Sequence, residues 1–177
     1  GEKVPRVRFA GFRGDWEEKK VGDVSDSYSG GTPSVDNRNY YNNGNIPFIR
    51  SGEISKDKTE LFITELGLEN SSAKLVDKGD ILYALYGATS GEVARSQIKG
   101  AINQAILAIF PHEKYDSEYL TQTLSFHKEL ILSVFLQGGQ GNLSGTIIKS
   151  LKLLFPSYEE QTAIGNFFQK LDQQIEQ

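Results

Sequence analysis

Cysteine is absent from the 177 residues, which removes thiolate nucleophiles, disulfide frameworks and zinc ribbons and suits a reducing compartment. Methionine is absent too, even at position 1, so the chain reads as a piece of a longer protein. Histidine occurs twice, as His112 beside a proline and His127 on a predicted helix face. Neither has a metal-binding spacing or a nucleophile nearby in sequence. No apolar run approaches the roughly 18 residues that a membrane span needs. The N-terminus carries Glu2, Lys3, Arg6 and Arg8 where a signal peptide would be apolar. The expectation is a soluble, cytoplasmic protein. A basic excess is also missing: the formal charge is −4. Residues 156–177 set Glu159, Glu160, Asp172 and Glu176 against Lys170, a net −3 that leaves −1 for residues 1–155. That balance weighs against an overtly basic nucleic-acid binder and makes any basic surface local. Two adjacent carboxylate pairs, Glu17 with Glu18 and Glu159 with Glu160, read as helix first turns, where negative charge suits the dipole, and not as catalytic acid–base pairs.

What is present reads as short β-rich runs with helices between and after them. The first 15 residues mix Pro5, glycines and arginines with no period and read as an extended lead-in, with a compact body from about Trp16 to about residue 156. Ile46–Arg50, Ile81–Tyr86 and Ala101–Phe110 read as strands. Thr64–Asn70 reads as a helix. So does Asp116–Phe135, where Leu120, Leu124, His127, Ile131 and Val134 recur at three- and four-residue steps and Asp116 or Ser117 would cap. A last helix should open at Ser157, with Glu160 at the capping-box spacing, and carry the apolar stripe Ile164, Phe167, Phe168, Leu171 and Ile175.

Seven segments, in order, carry a family resemblance: VRFAGFRGDWEEKKVGDV (Val7–Val24), GGTPS (Gly30–Ser34), NIPFIRSGEIS (Asn45–Ser55), SSAKLVDKGDIL (Ser71–Leu82), GAINQAILAIFP (Gly100–Pro111), GGQGNLSGTIIKSLKLLFP (Gly138–Pro156) and EEQTAIGNFFQKLDQQI (Glu159–Ile175). Together they resemble the target-recognition domain of the specificity subunits of type I restriction-modification systems. Ala10, where a proline is common, and Tyr41, where tryptophan is common, are the departures. The resemblance implies an α+β fold, a mixed-sheet domain with peripheral helices over residues 1–156. Residues 157–177 would be the start of a long spacer helix that pairs with a counterpart. It implies a non-catalytic chain that reads one half of a bipartite double-stranded DNA target. Partners would be methyltransferase subunits, restriction and translocation subunits, and a second recognition half or second copy. S-adenosylmethionine and ATP would sit on those partners in a prokaryotic cytoplasm. The helix stripe, chiefly Ile164, Phe168, Leu171 and Ile175, would serve assembly, and its first half could equally pack on its own domain.

Base edges are read by exposed polar side chains and phosphates by cations and amides, so four loops supply the candidate DNA contacts. The first offers Thr32 and Ser34 beside flexible glycines, followed by Arg38; an ordinary turn is the alternative. The second offers Arg50 and Ser51, with Arg50 favoured to grip guanine in a bidentate way unless it pairs internally with Glu53 or another carboxylate. The third offers Tyr86, Thr89 and Ser90 and continues to Arg95; a plain hairpin is the alternative. The fourth offers Gln140, Asn142 and Ser144, where Asn142 or Ser144 would also cap a short helix ending near Ser150. Asn103 and Gln104, placed in a strand, should point to opposite faces, so that one at most touches DNA. Lys99, with Lys56, Lys58 and Lys74, is a candidate phosphate contact.

Overall fold

The structure is a computed structural model that describes residues 4–136 and 141–175. Among these residues the strands are β1 (Glu17–Lys20), β2 (Ser25–Ser29), β3 (Ile46–Ile49), β4 (Phe62–Ile63), β5 (Lys74–Val76), β6 (Ile81–Ala84), β7 (Val93–Arg95), β8 (Gly100–Ile102), β9 (Ile106–Pro111) and β10 (Lys152–Phe155). The helices are α1 (Val21–Val24), α2 (Glu65–Glu69), α3 (Ser117–Phe126), α4 (Lys128–Phe135), α5 (Gly145–Ser150) and α6 (Tyr158–Ile175). The α+β class expected from the sequence is the class observed.

The strands form an antiparallel sheet in the order β2-β9-β6-β7, a mixed sheet in the order β4-β3-β8-β5, and the pair β1-β10. Among the described residues only β3 and β8 run parallel, with Phe48 opposite Ala101 and Ile49 opposite Ile102. Strand β6 and the first four residues of β9 are apolar and buried at every position, as expected of strands covered on both faces. Alternation assigns the faces. Ile81, Tyr83, Leu107 and Ile109 turn toward a core completed by Leu120, Leu124, Ile131 and Ile148 of the helices. Leu82, Ala84, Ile106 and Ala108 turn the other way and meet Ile49, Val76 and Ile102 of the mixed sheet. The antiparallel sheet is therefore a middle layer between helices and a second sheet.

Two continuous runs in the sequence are broken in the structure. The expected strand Ala101–Phe110 is β8 and β9, separated by a turn at Asn103–Ala105. The Asn103 side-chain oxygen accepts from the Ala105 N–H at 2.9 Å, the local bond by which asparagine favours turns over ladders. The expected helix Asp116–Phe135 is α3 and α4, parted at His127, where φ −88° and ψ 4° leave the helical region. The His127 Nδ1 lies 2.8 Å from the Thr123 carbonyl, so the side chain joins the last turn of α3. Asp116 caps α3, accepting from the Tyr119 N–H at 2.8 Å. A third correction concerns Glu17 and Glu18. They stand on β1, opposite Phe155 and Leu154, and contact Lys19 and Lys152, each at 2.9 Å.

The N-terminal lead-in hooks onto α6. The Arg8 guanidinium meets the buried Glu160 carboxylate in two 2.6 Å hydrogen bonds and donates to the Arg13 and Gly14 carbonyls. Phe9 sets its ring edge-on to Phe167 at 5.4 Å. Gly165 lets α6 cross close over α3, since a Cβ there would stand 2.9 Å from Asp116 Oδ1 and 3.0 Å from the Tyr119 nitrogen. Buried Gln161 accepts from the Asp116 N–H at 3.0 Å and donates to the Pro156 carbonyl at 2.9 Å.

Glycine is required where β2 ends. A Cβ on Gly30 would lie 1.8 Å from the Ile102 carbonyl oxygen, whereas one on Gly52 would meet nothing within 4 Å. Gly30→Ala should therefore cost about 2 kcal/mol or more, as expected of overpacking, and Gly52→Ala well under 1 kcal/mol. Thermal and urea unfolding of the two variants measures this. Equal stabilities would contradict the close approach.

Candidate nucleic-acid interface

Strand directions gather the polar loops at one end. Strands β2 and β6 are both antiparallel to β9, with Ser29 opposite Leu107 and Ala84 opposite Ile106. The C-terminal ends of β2 and β6 therefore flank the start of β9. Because β3 is parallel to β8, their C-terminal ends lie side by side. The loops beginning at Gly30, Arg50, Leu85 and Asn103 all leave from this end. Backbone hydrogen bonds stitch them together: Gly30 N–H to the Asn103 carbonyl at 3.1 Å, Leu85 N–H to Ala105 at 2.8 Å, and Leu143 N–H to Leu85 at 3.2 Å. The last brings in the segment before α5. The turns at Ser51–Glu53 and Gly87–Thr89 pack on each other.

Within this cluster the side chains are unequally committed. Arg50 lies against Glu53, with Nη2 at 2.6 Å and Nε at 3.1 Å, and its Nη2 also reaches Glu60 at 3.1 Å. Of its two readings the internal pair is the one seen here, although the side chain remains 47% exposed. The guanidinium holds the Glu53 carboxyl down to about 2 by hydrogen bonding, helped by the Thr59 hydroxyl and opposed by burial. Ser51 is half-buried beside it. Tyr86 packs on the helix-side core. Thr89 is half-buried, and Ser90 donates to the Gly87 carbonyl at 2.9 Å in the connection from β6 to β7. Ser144 caps α5, accepting from the Ile147 N–H at 3.2 Å, and Asn142 is exposed. Gln140 lies outside the described residues.

The glycine loop is held close: Gly30 donates to Asn103 and a Cβ on Gly31 would stand 2.6 Å from Ser72 Cβ. It presents exposed Thr32, Ser34 and Arg38. Asn103 and Gln104, expected on opposite faces of a strand, instead share the turn between β8 and β9, and Thr32 donates to Gln104 Oε1 at 2.8 Å. Contact between residues 72 positions apart is not encoded in either local motif. Exposed Lys74 reaches this end through its register with Ile102. Arg95 and Lys99 stand at the opposite end. Arg95 pairs in register with Ile81, donates to the Gly79 carbonyl and lies 3.5 Å from Glu118. Lys99 lies 3.2 Å from Asp77. Thr59 and Glu60, which complete the setting of Arg50, carry no sequence signal beyond their types.

The helix stripe divides. Ile164 packs on the core, whereas Phe168 (43%), Leu171 (36%) and Ile175 (81%) are exposed. Among the described residues no group of acidic residues and histidines is placed to hold a metal, and no helix is long and apolar enough to cross a membrane.

Residues 13–177 match the family model described as the type I restriction modification DNA specificity domain. The chain is 30% identical over 173 residues to the type I restriction enzyme MjaIX specificity subunit of Methanocaldococcus jannaschii, covering 92% of this chain and 39% of that protein. It is 27% identical over 167 residues to the EcoR124I/EcoR124II specificity subunit of Escherichia coli, covering 90% and 41%. Among solved structures, the HsdS subunit from Thermoanaerobacter tengcongensis superposes with a TM-score of 0.68 at 18% identity, over 97% of this chain and 40% of that one. The type I S subunit from M. genitalium gives 0.69 at 16%, over 91% and 40%. The chain thus spans about two fifths of the proteins it matches.

The Glu53 carboxyl, lowered from its ordinary 4.5 to about 2, contributes stability that is fully present above pH 4.5 and lost as pH falls through about 2. Glu53→Gln should lower stability at pH 7 by about 2 kcal/mol, with the difference from the parent shrinking between pH 4.5 and 2. Urea unfolding across that range reads it. Parallel pH curves for the two proteins would refute the assignment.

Proposed function

Because the chain belongs to the type I restriction modification DNA specificity domain family, we propose that its loop end reads one half of a bipartite double-stranded DNA target. The observation that carries this is the convergence of the four polar loops on one end of a rigid double-sheet platform. Groove recognition needs polar side chains held in fixed positions, and loops tied to one another by backbone hydrogen bonds supply them. Exposed Lys74 at the same end, and exposed Arg38 further along the glycine loop, suit phosphate contacts that set register without reading sequence.

The chain carries the address, and modification and restriction subunits carry the chemistry, with S-adenosylmethionine and ATP bound there, in a prokaryotic cytoplasm. Catalysis is not assigned to any residue of this chain. Assembly is the complementary role of α6. Its exposed Phe168, Leu171 and Ile175 form a half-turned apolar stripe that a partner helix from a second recognition half, a second copy or a modification subunit would cover.

Selection from a random duplex library by the complete specificity subunit with its modification subunits should enrich a short motif, with binding falling steeply as salt rises. Arg38→Ala and Lys74→Ala should each weaken all sequences alike and reduce the salt slope by about 1. No enrichment by the parent protein would overturn the reading.

A further inference from the structure

Several polar side chains at the loop end are already occupied. The Arg50 guanidinium is engaged by two carboxylates, Ser90 by backbone carbonyls, Ser144 by the α5 amide and the Asn103 oxygen by Ala105. Gln104 is different. It is exposed, yet it rides on a turn whose backbone is tied on both sides, by Gly30 N–H to Asn103 at 3.1 Å and by Leu85 N–H to Ala105 at 2.8 Å. Its carboxamide is oriented as well, because the Thr32 hydroxyl donates to Oε1 at 2.8 Å. Thr32 is itself located by Gly30 and Gly31, whose missing Cβ atoms let that loop lie against Ile102 and Ser72.

A carboxamide oxygen accepts two hydrogen bonds and its nitrogen donates two. With one acceptor position filled by Thr32, Gln104 retains an acceptor beside a donor, held on an exposed and rigid turn. The major-groove edge of adenine offers the complement, the N6 donor beside the N7 acceptor. Guanine offers two acceptors, and cytosine and thymine offer no such pair. The geometry points to Gln104 as a specificity-determining residue for an adenine in the half-site, with Thr32 as the positioning residue that presets its amide. This rests on the loop end being the DNA-reading surface.

The test is library selection with the complete specificity subunit and its modification subunits, comparing the parent with Gln104→Ala, Gln104→Glu and Thr32→Val. The parent's half-site should contain one adenine position at which Gln104→Ala loses roughly 5- to 150-fold of discrimination, the fold equivalent of one bidentate contact. Gln104→Glu should move the preference at that same position toward cytosine, whose N4 amino group donates to a carboxylate. Thr32→Val should relax the same position by less, leaving other positions and the salt slope unchanged. Both side chains are exposed, so unchanged thermal unfolding certifies the fold. If the parent selects a motif and Gln104→Ala leaves every position intact, the assignment is overturned. It is equally overturned if Gln104→Ala weakens all sequences evenly and lowers the salt slope, which would place Gln104 on a phosphate. A parent that selects no motif at all would instead overturn the reading of the end as a DNA surface.

Discussion

The architecture turns on three residues, Asn103, Gln104 and Ala105, where one apolar run changes sheets. Strand β8 lies between β3 and β5, and strand β9 lies between β2 and β6, so this single tight turn carries the chain from the interior of one sheet to the interior of the other. Both strands are buried, and a backbone that switches sheets inside a core must leave no peptide group unpaired. The turn meets that demand with the Asn103 side chain, the Gly30 and Leu85 amides and the two ladders on either side. Each such bond has a modest net value, about 1 kcal/mol, but leaving one unmade in this setting costs more than making it gains. The convergence of the loops follows from this crossover: the strands that flank β8 and β9 must end where the crossover occurs.

The features legible in the sequence were those written in local chemistry. Asp116 and Ser144 cap helices because short polar side chains reach the third amide along, and that spacing can be read directly. The apolar runs of β3 and β6 and the start of α6 near Ser157 were equally plain. The break at Asn103 was hidden because a buried strand on each side makes ILAIF and GAI read as one stretch, with only two polar residues between them. The break at His127 was hidden because the three- and four-residue spacing continues through it. Nothing in either segment could show that Thr32 meets Gln104 or that Arg8 meets Glu160, since those contacts span 72 and 152 positions. Arg95 was grouped with Tyr86 by sequence proximity, but a hairpin strand carries residues to the opposite end of the sheet.

The near-neutral body has a structural explanation. Arg8, Lys19, Arg50, Arg95, Lys99, Lys128 and Lys152 are set against carboxylates, so many of the cations are neutralised within the fold. Exposed pairs of this kind contribute at most about 1 kcal/mol each, but they cancel the field that would otherwise reach a polyanion. Exposed cations outside such pairs remain, among them Arg38 on the glycine loop, Lys56 and Lys58 on the segment that follows β3, and Lys74 on β5. On the proposed reading, a surface of this kind would draw DNA weakly and discriminate through placed hydrogen bonds, with phosphate attraction coming largely from partners.

Position in the fold also keeps the proposed reading and assembly surfaces apart. The loops are anchored to β2, β3, β6 and β8 at one end. Helix α6 begins at the other, where Gln161 binds Asp116 and Arg8 clamps Glu160. Sites this far apart with no shared partners behave almost independently. A change at Thr32 or Gln104 therefore alters the surface of the loop end without disturbing the seat of α6. A change in the exposed half of α6 leaves the stitched loop backbones untouched. The turn at Asn103–Ala105 is the exception, since it belongs to the core and to the surface at once. Its backbone is constrained by both sheets, and only the outward side chain of Gln104 is left free to vary.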